Sequence, residues 1–399
     1  MKRLKILLIY PGYPPEEALG GGISTYAREA AEGLIGLGHR VTVISRTEKT
    51  DFSIEIKNNL KIVRVPCQGF NRFGVLFYSF KVKRIIEKLE QKKENMFDVI
   101  EVGDWGAEAV LLLRKFGHKL VIRCHTPGFI SESYNPLNPP YLSGFVKKLE
   151  KYVLARAKFI ACPSRSLVVE IKKYVNIKAQ VTIQPYPLTV SEIPWKLNYR
   201  KKFDKFHPLR ILTAGRLEQR KGQDIICRAV NIISDKGFPV ALTFAGSDTL
   251  IKNGIGFKNE LSKILKPQLL KSVRFLGQVK QNDMPEIFIN HDLFVMASRF
   301  ESLGFVTLEA MRTGLPVVAA NVCEAPNLIA EGKTGKLFKN GDPLDLSDKI
   351  IGLLTDFRSA VKMGQTARKY IIENYGRNRP VKLMAAYFAS IINTYGDGK

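Results

Sequence analysis

Acidic side chains are scarce in this 399-residue chain: 37 Asp+Glu stand against 62 Lys+Arg, a net charge of +25. Cysteine is also scarce. Five are present, at 67, 124, 162, 227 and 323, and none forms a C-x-x-C pair. That excludes a small disulfide scaffold and the usual zinc spacings. No stretch approaches the ~18 apolar residues of a membrane span, and the apolar run in the N-terminal MKRLKILLIYPGYPP ends at Pro11, as in a first strand rather than a signal peptide. Low-complexity tracts, internal repeats, Arg/Gly segments and basic zippers are missing. The phosphate-binding fingerprints G-x-G-x-x-G and G-x-x-x-x-G-K-S/T are missing as well, and no D-x-D triplet occurs.

What is present is an ordinary globular composition, with 45% apolar and 25% charged residues, long enough for two domains. The positive charge is even: net +13 over 1–190 and +12 over 191–399. It suggests an anionic partner. Local basic runs lie at 72–93, 147–178 and 196–210. A reducing cytoplasmic compartment is the expected location.

Short apolar runs alternate with helical periods. Ile6–Ile9, Val41–Ile44, Ile62–Val65, Val99–Val102, Leu120–Ile122, Phe159–Cys162 and Val181–Ile183 read as buried strands. A Pro-rich and basic stretch over 185–208 reads as a linker. Strands then resume at Ile211–Ala214, Ala241–Ala245, Val273–Leu276, Leu293–Met296 and Pro316–Ala319, with helices near 222–234, 282–290 and 305–312. Two final helices are expected at 356–374 and 377–395. The fold class is α/β, with two doubly wound parallel sheets. The expected domains are 1–190, joined by the final helix 377–399, and 205–375. Ligands of such sheets bind at the carboxyl ends of the strands.

Four loops stand at those ends. PGYPPEEALGGGIST carries Gly20, Gly21 and Gly22 before a helix, where free N–H groups suit an anion; a tight turn is the plain alternative. GRLEQRKG presents Arg216 and Lys221 before another helix, a clamp for a diphosphate or else a solvated loop. SRFESLGFVTLEAM places Glu301 before a helix and Glu309 within it. Carboxylates suit sugar hydroxyls, and the amides of Leu303, Gly304 and Phe305 suit a phosphate; a helix-end charge and a surface glutamate are the alternative. RCHTPGF places His125 at a strand end, as a proton-transfer group, a neutral hydrogen-bonding group or a structural histidine.

In this order the loops resemble a retaining glycosyltransferase of the GT-B type, family 4. The resemblance rests on GGGISTYAREAAEGLIGLGHRVTVIS, RCHTPGF, GRLEQRKG and FESLGFVTLEAMRTGLPVVAA, and spans nearly the whole chain. It implies two Rossmann-like domains and a metal-independent hexosyl transfer from a nucleotide-sugar donor. No cofactor and no divalent metal are expected, because Arg and Lys take the metal's place. Arg216 and Lys221 would hold the diphosphate and Glu309 the ribose. Glu301 and the amides of 303–305 would hold the transferred sugar. His125 would lie near that sugar, Gly21 and Gly22 near phosphate or acceptor, and Gly246 and Val279 near the base. The expected acceptor is a lipid-linked or surface glycan of cell-envelope polysaccharide synthesis; a sugar-phosphate synthase or an epimerase on the same fold is the alternative. Two segments depart from the family pattern, IQPYPLTV over 183–190 and ANVCEAPNL over 320–328. An anionic membrane surface is a further expected partner, through the basic helices near 76–92 and 142–154, with peripheral attachment to the inner face. Nucleic acid is not expected. In the helix near 142–154, Leu142, Phe145, Leu149, Tyr152 and Val153 are expected to form the apolar stripe, with Lys147, Lys148 and Lys151 opposite.

Overall fold

The computed structural model describes residues 2–14, 21–67, 72–140, 142–189, 203–204 and 206–396. Gly20 and most of the expected linker lie outside the described residues.

The chain divides into two compact units. The first comprises Met1–Ser131, Pro140–Thr189 and Tyr375–Lys399, and the second Glu132–Pro139 and Val190–Asn374. The first holds eight strands: β1 Lys5–Tyr10, β2 Arg40–Thr47, β3 Ser53–Lys57, β4 Leu60–Pro66, β5 Val99–Gly103, β6 Leu120–Arg123, β7 Phe159–Cys162 and β8 Gln180–Ile183. Their order is β3-β4-β2-β1-β5-β6-β7-β8. All neighbours are parallel except β3 and β4. The parallel strands are apolar runs because helices cover both sheet faces. Strand β3 escapes the sequence reading because SIEIK is charged and exposed along its whole length. A two-residue turn at Asn58 and Asn59 folds it onto β4, with Asn58 at φ +54°, a left-handed conformation that Asn tolerates.

The second unit holds β9 Leu209–Ala214, β10 Val240–Ala245, β11 Val273–Phe275, β12 Leu293–Met296, β13 Val317–Ala320 and β14 Lys336–Phe338. The order is β11-β10-β9-β12-β13-β14, parallel throughout. The direction of strand progression reverses between β9 and β12, and in the first unit between β1 and β5. These are the switch points where such sheets leave a crevice for ligands.

One feature differs from the sequence reading, and the placement of the final helix agrees with it. Residues 132–139, expected with the first domain, belong to the second unit. The Asn138 side chain donates to Thr249 Oγ1 and to the Leu250 carbonyl, both at 2.9 Å, and Tyr134 stacks on Phe300. The final helix, Asn378–Gly396, belongs to the first unit and packs on the helix Gly22–Gly36. There Arg377 reaches Glu29 and Glu32, and a Cβ on Gly33 would lie 2.4 Å from Val381.

Candidate functional site

In the second unit, the loops that follow β9 and β12 flank the switch point. Three neighbouring strand ends carry glycine: Gly215 after β9, Gly246 after β10 and Gly277 after β11. The Gly246 amide donates to the Gly277 carbonyl at 2.8 Å. A Cβ on Gly246 would lie 2.0 Å from the Gly215 carbonyl oxygen, so the backbones meet where no side chain fits. Val279, half-buried, follows Gly277.

From Gly215 the chain makes one turn of 3-10 helix, Gln219–Lys221, and enters the helix Gln223–Asp235. Gly222 joins them at φ +66°, and a Cβ there would strike the Ala297 carbonyl oxygen at 1.9 Å. This close approach brings the Lys221 side chain to the loop after β12. Its Nζ lies 2.5 Å from Oε2 of Glu301, and the Arg220 guanidinium lies 3.8 Å from the same oxygen. Arg220 also donates to Glu218 at 2.5 Å and to the Phe300 carbonyl at 3.1 Å. Arg216 lies 3.4 Å from Glu218 and is the more exposed of the cations. Burial raises the Glu301 carboxyl, but Lys221 and Arg220 outweigh it and hold the group below the usual range. Glu218 behaves alike: burial is offset by Arg220 and Arg216. Burial draws the Lys221 ammonium down, against the pull of Glu301.

Gly304, at φ +79°, caps the helix Phe305–Arg312. The amides of Leu303, Gly304 and Phe305 therefore stand at its positive end, within a few residues of Glu301. Glu309 lies in the second turn and accepts from Gln281 Nε2 at 2.5 Å. Arg216, Lys221, Glu301, Glu309, Gly246, Val279 and residues 303–305 are thus brought to one end of one sheet. The sequence reading missed Arg220, Glu218 and Gln281. Arg220 and Glu218 stood inside GRLEQRKG as unremarkable charges; their burial reveals them. Asn135 was missed too: its side chain accepts from the Arg220 amide at 2.8 Å, so the segment 132–139 braces this loop.

In the first unit, Gly21 precedes the helix Gly22–Gly36 in extended backbone, and both glycines are exposed with nothing within 4 Å of an added Cβ. No local packing demands glycine there. His125, after β6, is buried. Its backbone N–H donates to Asp104 at 3.0 Å, and Nδ1 lies 2.8 Å from the Tyr186 hydroxyl. Tyr10, Tyr26 and Tyr186 surround the ring edge-on or tilted. Burial and the Arg123 guanidinium push the imidazole well below its ordinary value. It is therefore neutral at physiological pH, and the buried Nε2 has no hydrogen-bond partner among the described residues. Arg123 is itself buried, stacked on Tyr26 and Tyr186 and donating to the Gln184 carbonyl at 2.7 Å. Tyr186 belongs to IQPYPLTV, so that departing segment supplies the partner of His125.

Among the described residues, no group of three or more His, Cys, Asp or Glu is arranged to hold a metal ion.

Two family models match the chain: Glycosyl transferases group 1 over residues 196–370, and Glycosyltransferase Family 4 over residues 20–188. The chain is 29% identical over 184 residues to Spore coat protein SA of Bacillus subtilis, covering 44% of this chain and 48% of that protein. The match therefore spans about half the length of that relative. The sucrose-phosphate synthase from Thermosynechococcus elongatus superposes with a TM-score of 0.80 at 19% identity, over 98% of this chain and 100% of that one. The HepE protein of Anabaena, in complex with UDP-glucose, superposes with a TM-score of 0.70 at 17% identity, over 97% and 100%.

Proposed function

The chain belongs to the group 1 glycosyl transferases of GT-B fold, and from that premise we propose that it moves a hexose from a nucleoside-diphosphate sugar to a lipid-linked or surface-glycan acceptor with retention of anomeric configuration. The observation that carries this reading is the Lys221–Glu301 pair beside Arg216 and the helix end at 303–305. Breaking the anomeric bond leaves extra negative charge on the departing diphosphate. Lys221, Arg216 and the helix-end amides are fixed opposite charges in a partly dry site, each worth ~2.7–4 kcal/mol of barrier on the oxyanion-hole scale. This preorganised positive charge supports a metal-independent reaction.

The remaining roles follow from the chemistry of each group. Glu301 is held ionised and accepts hydrogen bonds from hydroxyls of the transferred sugar. Glu309 accepts from the ribose, sharing its carboxylate with Gln281. Gly246 and Val279 border the base. Gly21 and Gly22 let backbone approach phosphate or acceptor. His125 is neutral, so it serves as a hydrogen-bonding group through Nε2 rather than as an acid. Among the described residues no group is positioned as an obvious nucleophile; attack by the acceptor from the face of the departing diphosphate, which accepts the acceptor's proton, accounts for retention.

The HepE complex supports UDP-glucose as the first donor to try. The test is release of nucleoside diphosphate across a donor panel, with membrane extract as acceptor. Turnover surviving both Lys221→Ala and Glu309→Ala would overturn the reading. Turnover with a soluble sugar phosphate and no membrane would instead favour a sugar-phosphate synthase, the activity named for the T. elongatus structure.

A further inference from the structure

The helices Arg72–Leu89, Gly144–Arg156 and Arg165–Lys172 lie on one face of the first sheet. The steps β4→β5, β6→β7 and β7→β8 run in one direction across the strand order, whereas β1→β2 runs in the other. With right-handed crossovers, these three helices share one face, and the helix Gly22–Gly36 takes the opposite one. The first two pack against each other. Lys151 of the second lies over Tyr174, just beyond the third.

Their inward stripes are ordinary core. Val75, Tyr78, Val82 and Ile86 are buried on the first helix, and Val146, Val153 and Leu154 on the second. The outward stripes are unusual. On the first helix the exposed positions among the described side chains are Phe77, Phe80, Arg84 and Lys88, spaced i, i+3, i+7, i+11. On the second, Phe145, Lys148, Tyr152 and Arg156 repeat that spacing. On the third they are Arg165, Val169 and Lys172. Only aromatics, one valine and cations occupy these stripes. The acids of the three helices are drawn elsewhere: Glu87 pairs with Lys115, Glu170 pairs with Lys173, and Glu150 is buried. Phe77 is 60% exposed and Tyr152 49%. Cations lie over these rings: Lys81 4.6 Å from the Phe77 centroid, and Arg156 5.7 Å from that of Tyr152.

Exposed aromatics are costly in water unless something covers them. Nothing acidic stands among them, and exposed aromatics alternate with the cations, so an anionic, partly apolar layer matches both halves of the pattern. No helix among the described residues is long and apolar enough to cross a membrane. We propose that this face docks on an anionic lipid bilayer. The rings of Phe77, Phe80, Phe145 and Tyr152 enter the headgroup region while the flanking cations meet lipid phosphates. This deepens the proposed function only in its acceptor class, because a bilayer-docked transferase is placed beside a lipid-linked acceptor.

The test is flotation of the full chain with vesicles of one part phosphatidylglycerol to two parts phosphatidylcholine, against pure phosphatidylcholine, without donor. Binding to the anionic vesicles alone is expected. Phe77→Ser with Tyr152→Ser should weaken it at least tenfold, and Arg84→Ser with Lys148→Ser by roughly fivefold per cation. All variants should keep the wild-type urea midpoint and nucleotide affinity, since none of these residues is in the donor site. Equal binding to both vesicles, aromatic variants that bind like wild type, or an equally tight complex with a mixed single-stranded oligonucleotide lost in the same variants, would each overturn the proposal. A wild-type chain that releases nucleoside diphosphate but does not dock would reject the surface and leave the transferase reading standing. Docking without nucleotide binding would do the reverse.

Discussion

The Lys221 ammonium rests 2.5 Å from the Glu301 carboxylate, and the two residues stand 80 positions apart in the chain. Each holds the other in the loop where a leaving diphosphate is proposed to sit. Lys221→Ala is expected to lower kcat by roughly 100- to 1,000-fold, the range for one lost donor to a developing anion. Nucleoside diphosphate release under saturating donor measures it.

The same pair sets an acid limit. Glu301 is held below the usual carboxylate range, so it stays ionised above its unfolded value of ~4.3. Its contribution to stability is fully present above that value and is lost as pH falls through the lower folded value. Urea midpoints below about pH 4 should therefore fall less steeply in Glu301→Gln than in wild type. An identical acid slope in both would contradict the pairing.

His125 predicts a dependence of the same sign in a higher pH range. Its folded value is depressed, so below about pH 6.5 the unfolded chain binds a proton that the native state refuses. Stability should fall on acidification through this group, by at most about 1.4 kcal/mol per pH unit. His125→Gln should flatten the slope measured between about pH 5 and 6.5. His39, also lowered by burial, leaves a residual slope.

Two glycines should separate stability from activity. Gly222→Ala places a Cβ 1.9 Å from a carbonyl oxygen in left-handed backbone, and at least ~2 kcal/mol of stability should be lost. Gly21→Ala meets nothing within 4 Å and should cost no more than ~1 kcal/mol as a poorer helix cap. A tenfold or greater loss of kcat/KM is nevertheless expected there, since the proposed role is close approach to a ligand. Unchanged kinetics would remove Gly21 from the site.

Asn135→Ala leaves the buried Arg220 amide without the 2.8 Å acceptor that the side chain supplies. A loss of ~1–3 kcal/mol is expected in thermal or urea unfolding, because a buried donor loses its partner.

Sequence and structure agree where the signal is local. The apolar strands, the glycines at strand ends, and the Arg216–Lys221 loop are each contained within a few residues. Partners such as Gln281 for Glu309, or Tyr186 for His125, are supplied from 28 and 61 positions away, and no periodicity carries that information. The helix Gly144–Arg156 shows how patterning misleads. The expected apolar stripe included Phe145 and Tyr152, which are exposed, and the buried face instead centres on Val146, Glu150 and Val153. Glu150 is the cause. Its carboxylate accepts from the amides of Gly106, Gly128 and Phe129 at 2.9–3.2 Å, so a charged residue takes a core position that hydrophobic spacing assigns to solvent. The rotated helix is what leaves the aromatics facing outward.

The allotment of Tyr375–Lys399 to the first unit has a consequence for biosynthesis. When residues 1–189 have left the ribosome, the helix Gly22–Gly36 still lacks the helix Asn378–Gly396 against which Gly33 is shaped, and Glu29 lacks Arg377. The second unit, by contrast, has all its strands before residue 375 is made. The unit synthesised first is therefore the last to be completed, and a released chain truncated after residue 374 should bind nucleotide in its second unit while the first remains open to proteolysis.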